Sequence, residues 1–300
     1  TALVTSTSGS TGWTATYTMT GSDNTGEVPF LISFTDTHGG VGVPVSATTN
    51  GSNVAFDKTA PTLAPVHIAS NNITNSSRAK TGDTVTLTFT SLEVISTPTV
   101  TIAGHAVSTA GNGVLWTATY TMTAGDAEGT VPFSIAFIDL TGNPGITVST
   151  TTDGSSVIFD ITAPTLSSVH IVSSNTNTTR AKTGDSVTLT FTSLEPISTP
   201  TVTIAGHTVT PTGGPTSWTA ATTMQSGDTE GTVAFSIAFT DQTGLAGAMV
   251  STTTDGTSVT LDNTAPTLSP VHIASNNTDT TKAKTGSIVT LTFTSLEPIS

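Results

Sequence analysis

Residues 160–190 read D-I-T-A-P-T-L-S-S-V-H-I-V-S-S-N-T-N-T-T-R-A-K-T-G-D-S-V-T-L-T. Nearly the same text opens at Asp57 and again at Asp262, so it occurs three times at intervals of 103 and 102 residues. A fixed period means that one structural unit has been copied end to end. This unit exceeds the roughly 20–50 residues of solenoid repeats and matches the roughly 100 residues of a sandwich domain, so each whole copy should own its core. The expected divisions are 1–56, the back part of a repeat; 57–159 and 160–261, two whole repeats; and 262–300, the front part of a further one.

The quoted stretch ends in an alternation that recurs through each copy. Val85, Leu87 and Phe89 alternate with Thr84, Thr86, Thr88 and Thr90, and Trp116, Ala118, Tyr120 and Met122 alternate with Thr117, Thr119, Thr121 and Thr123. Val131, Phe133, Ile135 and Phe137 continue the pattern. Period two is the mark of a strand with one buried face, and no helical period competes with it. In the copy 57–159 the pattern predicts seven strands, near 64–70, 84–90, 97–103, 105–109, 114–122, 130–138 and 146–159, the last broken at Asp153-Gly154. Turn residues separate them, as at Thr81-Gly82-Asp83 and Ala110-Gly111-Asn112-Gly113. Short strands punctuated in this way indicate a two-sheet antiparallel β-sandwich of immunoglobulin-like type, all-β throughout. Trp13, Trp116 and Trp218 open corresponding strands and are expected in the core. The proline of each Asp-x-Thr-Ala-Pro junction stiffens the joint, so the copies are expected to form a semi-rigid rod.

Composition narrows the function. Seven Lys and Arg against twenty Asp and Glu give a net charge of −13, which would repel a phosphate backbone, so nucleic acid is not an expected partner. No apolar run approaches the roughly 18 residues of a membrane helix. There is no cysteine, hence no disulfide framework. Charged residues make up only 9% of the chain, and the polarity comes from Thr, Ser, Asn and Gly, as is common in secreted β proteins. Thr1 is not an initiator, so a secretion leader would have to lie outside these residues.

The unit resembles the bacterial immunoglobulin-like repeats found in tandem in very large surface adhesins and other secreted proteins. The resemblance is carried by D-x-T-A-P at each junction and by A-K-T-G-D-x-V-T-L-T-F-T-S-L-E at Ala79–Glu93 and Ala181–Glu195. P-T-V-T-I-A-G-H and the late strand ending I-A-F-x-D-x-T-G, at Ile135–Gly142 and Ile237–Gly244, carry it further. It implies an extracellular or cell-surface stalk or filament without enzymatic activity, with neighbouring repeats or like subunits as partners. The alternative is an adhesive module that binds surface glycans or proteins.

The resemblance also implies that some such repeats bind calcium at their joints, which makes Asp57, Asp160 and Asp262 the candidate ligands here. Calcium takes six to eight oxygen ligands, so carboxylates gathered at a joint suit it. The competing reading is that these Asp residues cap turns through their own backbone. Asp139 and Asn143 share a D-x-x-G-N turn that becomes D-x-x-G-L in the next copy, a change read as weakening any site there. Asp126 with Glu128, and Asp228 with Glu230, read as solvated loops; His67, His105, His170, His207 and His272 read as exposed or half-buried strand residues. Asn-x-Ser/Thr at Asn72, Asn75, Asn177 and Asn276, all in the loop after the first strand, marks candidate glycosylation positions.

Residues 262–300 and 1–56 would together recreate a repeat except for the counterpart of Thr199–Ala205. Two expectations follow: these residues are a window on a longer chain of repeats, or the tail of one subunit completes the head of the next.

Overall fold

The computed structural model describes residues 2–8 and 11–299, and every named element among them is a strand. Strands β1 (Leu3–Ser8), β2 (Gly12–Thr16), β3 (Gly26–Glu27) and β4 (Ala55–Phe56) belong to the partial copy 1–56. The copy 57–159 contains β5 (Leu63–Ser70), β6 (Arg78–Ala79), β7 (Thr84–Ser91), β8 (Thr99–Ile102), β9 (His105–Val107), β10 (Thr109–Gly111), β11 (Leu115–Thr121), β12 (Gly129–Thr130), β13 (Phe133–Ala136) and β14 (Ile158–Phe159). The copy 160–261 repeats them as β15 (Leu166–Ser173), β16 (Arg180–Ala181), β17 (Ser186–Ser193), β18 (Thr201–Ile204), β19 (His207–Val209), β20 (Thr212–Gly213), β21 (Ser217–Thr223), β22 (Gly231–Thr232), β23 (Phe235–Ala238) and β24 (Thr260–Leu261). Residues 262–300 contribute β25 (Leu268–Ser275) and β26 (Val289–Ser295).

Sheet order identifies the architecture. In the first whole copy one sheet runs β10-β11-β7-β5 and the opposing one runs β13-β8-β9, extended by a bridge from Ile135 to Val148. This division into four strands and three plus an edge is the immunoglobulin-like sandwich. A third small sheet, β12-β14-β6, closes one end, and its β14–β6 pairing is the only parallel one in that copy. The second whole copy has the same three sheets.

Alternation sets which side chains go inside. Val66 and Ile68 from β5, Val85, Leu87 and Phe89 from β7, and Trp116 and Ala118 from β11 meet Val100, Ile102, Phe133 and Ile135 of the opposite sheet in one buried cluster. Register places Trp116 opposite Phe89 and Trp218 opposite Phe191. Each fully buried Val, Leu or Phe contributes roughly 1.5–3 kcal/mol. The second copy owns a separate cluster of eighteen buried residues against nineteen in the first; the counterpart of Leu63, Leu166, is only partly buried, and at the shared positions only Phe159, which becomes Leu261, differs.

The chain divides into two compact units, Thr1–Ile161 and Thr162–Ser300, each holding one whole copy and one partial copy. In the partial copies the expected core is not formed. Trp13 is 63% exposed where Trp116 is 6% exposed, so the expectation of a buried Trp13 fails. The cause lies in the sheet: among the described residues β2 pairs only with β1, and the strand equivalent to β7, whose Phe89 faces Trp116, is not present in residues 1–56.

Candidate functional site at the edges and entry of each copy

Asp57 enters the first whole copy, Glu93 follows β7, and Asp139 follows β13. Folding brings them together: one carboxylate oxygen from each lies within 4.8 Å of the others. Asp139 is buried, and its turn is built by its own side chain. Its Oδ1 accepts from the Thr141 and Asn143 N–H groups, each at 2.8 Å, while the Asn143 amide donates to Oδ2 at 2.8 Å and to the Asp57 carbonyl at 3.1 Å. Burial pushes the Asp139 carboxyl up, but the hydrogen bonds from Asn143 and Thr141 outweigh it and hold the pKa down at about 2. The group is therefore a carboxylate under all ordinary conditions.

An oxygen-only, three-carboxylate set at this spacing fits calcium in donor type and charge. The corresponding turn of the second copy sharpens the point. Asp241 is 1% exposed and its Oδ1 accepts from the Thr243 and Leu245 N–H groups, yet Leu245 has no side-chain amide to replace that of Asn143, and Oδ2 is buried without a hydrogen-bond partner. A buried carboxylate oxygen left bare is costly unless a cation or donor meets it. The Asn-to-Leu change, read from sequence as weakening a site, thus removes a competing donor and leaves a ligand atom free.

Asp57, a junction aspartate expected as a ligand, joins such a cluster. Asp160 donates its backbone N–H to the Ala79 carbonyl at 2.9 Å and so ties the end of its copy to β6. Asp262 makes the same bond to Ala181 at 3.0 Å, and its Oδ1 accepts from the Thr264 N–H at 3.0 Å, the turn-capping geometry. Glu93 was not singled out by sequence reading, and Asp139 was weighed there only within its own turn, not with Asp57. The signal was available in their recurrence as Glu195 and Asp241.

Two His–Asp pairs fasten the edges of each whole copy. His67, on edge strand β5, lies 2.6 Å from Asp153, and the same loop covers the rest of that edge through Thr152 and Ser155, which receive the Val66 and Ile68 N–H groups. His170 and Asp255 repeat the pair at 2.6 Å. A Ser155 hydroxyl and N–H, then His67, hold Asp153 well below the usual carboxylate range; Thr257, then His170, hold Asp255 at about 2. Unpaired edge N–H groups invite association with other strands, so this loop is an edge guard.

The second pair corrects the reading of Asp126 as part of a solvated loop. Asp126 is buried and accepts from His105 Nε2 at 2.8 Å, Tyr120 Oη at 3.2 Å, and the Thr123 N–H at 2.7 Å. The His105 and Tyr120 rings stack with centroids 4.8 Å apart. His105 lies on the three-stranded sheet and Tyr120 on the four-stranded one, so the cluster clasps the two sheets. His207 and Asp228, 2.6 Å apart, keep the clasp where Tyr120 has become Thr222. Glu128 accepts from the Ile161 N–H at 2.8 Å, and Glu230 from the Asn263 N–H at 2.9 Å, so these acids hold the chain leaving each copy.

The glycosylation candidates divide. Asn72 is buried and its amide nitrogen, the atom that would carry a glycan, donates to Asp83 at 2.7 Å; this removes it as an acceptor. Asn75, Asn177 and Asn276 are exposed; the side-chain oxygens of Asn75 and Asn177 cap local turns, and that of Asn276 accepts from the Ile288 N–H at 3.1 Å.

No family model and no curated protein matches the chain. Solved structures similar to it are tandem β-sandwich proteins. One holds fibronectin(III)-like modules of Clostridium thermocellum CbhA, at 14% identity and a TM-score of 0.31, covering 65% of this chain and 93% of that one. Another is an I-band fragment of titin, at 9% identity and a TM-score of 0.39, covering 74% and 81%. A Bacteroides ovatus mixed-linkage glucan utilization protein, solved with a heptasaccharide, is 14% identical with a TM-score of 0.20, covering 91% and 62%. Likeness at this level carries no functional argument.

Proposed function

We propose that this chain is a non-enzymatic structural segment of a stalk or filament at a microbial cell surface, in which immunoglobulin-like sandwiches serve as interchangeable spacers. One observation carries the reading: the two whole copies keep the same core residue at every shared position but one. Their surfaces drift meanwhile, as where exposed Leu115, Ile138 and Leu140 become Ser217, Thr240 and Gln242. A spacer needs each unit to fold alone and asks little of its surface. A binding site would instead tend to distinguish one copy. The polar clusters support the same role, for the His–Asp pairs fasten edges and Glu128 and Glu230 hold the exiting chain.

Calcium fits this role at Asp57, Glu93 and Asp139, where a bound ion would tie the strand entering the copy to two loops of its body. It would stiffen the joint rather than fold the domain.

Small-angle scattering on the 300-residue chain, with calcium and with chelator, tests both statements. The expected result is an elongated particle whose flexibility increases on chelation while the melting midpoint of the copies stays fixed. A compact particle with the whole copies packed side by side would sink the spacer reading. Unchanged flexibility would remove calcium alone. Reproducible binding on a glycan array would turn the assignment to the adhesive alternative.

A further inference from the structure

We infer that strand β5 and the segment 152–155 form a force-resisting clamp, so that a whole copy yields to tension along the chain only when several bonds break together. The chain enters and leaves the copy at opposite ends. The Asp57 carbonyl is held by the Asn143 amide, beyond the end of β13, whereas the Ile161 N–H is held by Glu128, ahead of the start of β13. Tension along the chain therefore draws the beginning of β5 and the end of β14 in opposite directions.

Between those two points the chain segments lie side by side and parallel. Val66 donates its N–H to Thr152 Oγ1 at 2.9 Å, and its carbonyl accepts from the Thr152 N–H at 3.1 Å. His67 Nδ1 lies 2.6 Å from Asp153 Oδ2, and the Ile68 N–H donates to Ser155 Oγ at 3.0 Å. Partners advance together, 66 to 68 against 152 to 155, which makes the two segments parallel. The parallel β6–β14 pairing continues the row, with the Ile158 N–H on the Ser77 carbonyl and the Asp160 N–H on the Ala79 carbonyl, both at 2.9 Å. Parallel neighbours pulled from opposite ends must slide past each other, so the whole row strains at once. The antiparallel β5–β7 pair, pulled at Leu63 and Ser91, would instead open one bond at a time. The second copy repeats the row: Val169 pairs with Thr254 through both bonds, His170 with Asp255, and the Ile171 N–H with Thr257 Oγ1. Three of the four contacts between β5 and 152–155 use a side chain of that segment, so they can be removed without altering the backbone. The inference deepens the stalk reading, in which tension runs along the chain. Pulling on the molecule judges the clamp and scattering judges the stalk, so either can fail without the other.

Single-molecule force spectroscopy on the full 300-residue chain, held at its two ends, tests it, because forced unfolding reads the unfolding barrier directly. Two peaks of similar force are expected, one per whole copy, each releasing about 100 residues or roughly 30 nm of chain. Thr152→Val combined with Ser155→Ala should lower one peak and leave the other, which belongs to the second copy, at its original force. The chain has no cysteine, so Thr62→Cys and Leu92→Cys can carry the handles instead, at neighbouring positions where the Leu92 N–H meets the Thr62 carbonyl. Pulled there, the first copy should open at lower force than end to end, and the double substitution should make no further difference. The comparison of directions needs no change in the clamp, so it decides the matter even if the double variant does not fold. Equal force in the two directions, a double variant that keeps both peaks, or one that weakens the copy equally in both directions would overturn the inference.

Discussion

Trp116 lies over Gly111, its partner across the β10–β11 pairing, where an added Cβ would meet the indole ring at 2.4 Å. The indole fills its space only because the neighbour has no side chain. Trp116→Ala should therefore cost about 3–5 kcal/mol in denaturant unfolding of its copy. Trp13→Ala should stay within about 0.5 kcal/mol, since its ring is mostly in solvent. A large loss at Trp13 would mean that residues 1–56 hold a core of their own. Asp139 contributes to the acid limit, as do other carboxylates held low by hydrogen bonds, such as Asp255. The Asp139 carboxyl titrates at about 2 in the folded state against 3.8 ordinarily, so the unfolded chain binds the proton first as pH falls. The stabilisation is fully present above about pH 4 and is lost as pH falls toward 2. Asp139→Asn should flatten stability against pH across that window; an unchanged slope would show that its hydrogen bonds do not favour the charged form.

At the scale of the element, the return strand after β13 is fixed by a glycine at the bend. A Cβ on Gly145 would meet the Phe137 ring at 2.2 Å, and one on Gly247 would meet Phe239 at 2.3 Å, both rings belonging to buried clusters. Gly42 stands in the same relation to Phe34 at 2.2 Å, but that ring is half exposed and free to swing away. In thermal unfolding, alanine at 145 or 247 should destabilise its copy by roughly 1–3 kcal/mol, whereas alanine at 42 should be nearly silent. The long strands were legible in sequence because period two over β5, β7 and β11 needs only local residues. The two-residue strand β6 was not, nor was its parallel pairing with β14, which falls within the strand expected over 146–159, since a parallel pair at Arg78 and Ile158 is set by the whole fold and leaves no local pattern. The His–Asp pairs were hidden for the same reason: 86 residues separate His67 from Asp153, and 21 separate His105 from Asp126. At Asn72 the sequon was legible but the direction of its amide, toward Asp83, was not.

For the whole molecule, the separation of the two cores has a thermodynamic consequence. The clusters within 63–159 and 169–261 share no residue, and their compositions are almost the same, so the two copies should unfold near one another in the unaltered chain and cooperativity should belong to each copy. Gly145→Ala weakens one core without touching the other. Hydrogen exchange read by mass spectrometry across a denaturant series should then show two steps, with amides of β5, β7 and β11 losing protection first. Amides of β15, β17 and β21 should keep their original midpoint. If protection in the second copy falls together with the first, the copies are coupled strongly enough to act as one folding unit, and interchangeable spacers would no longer describe them.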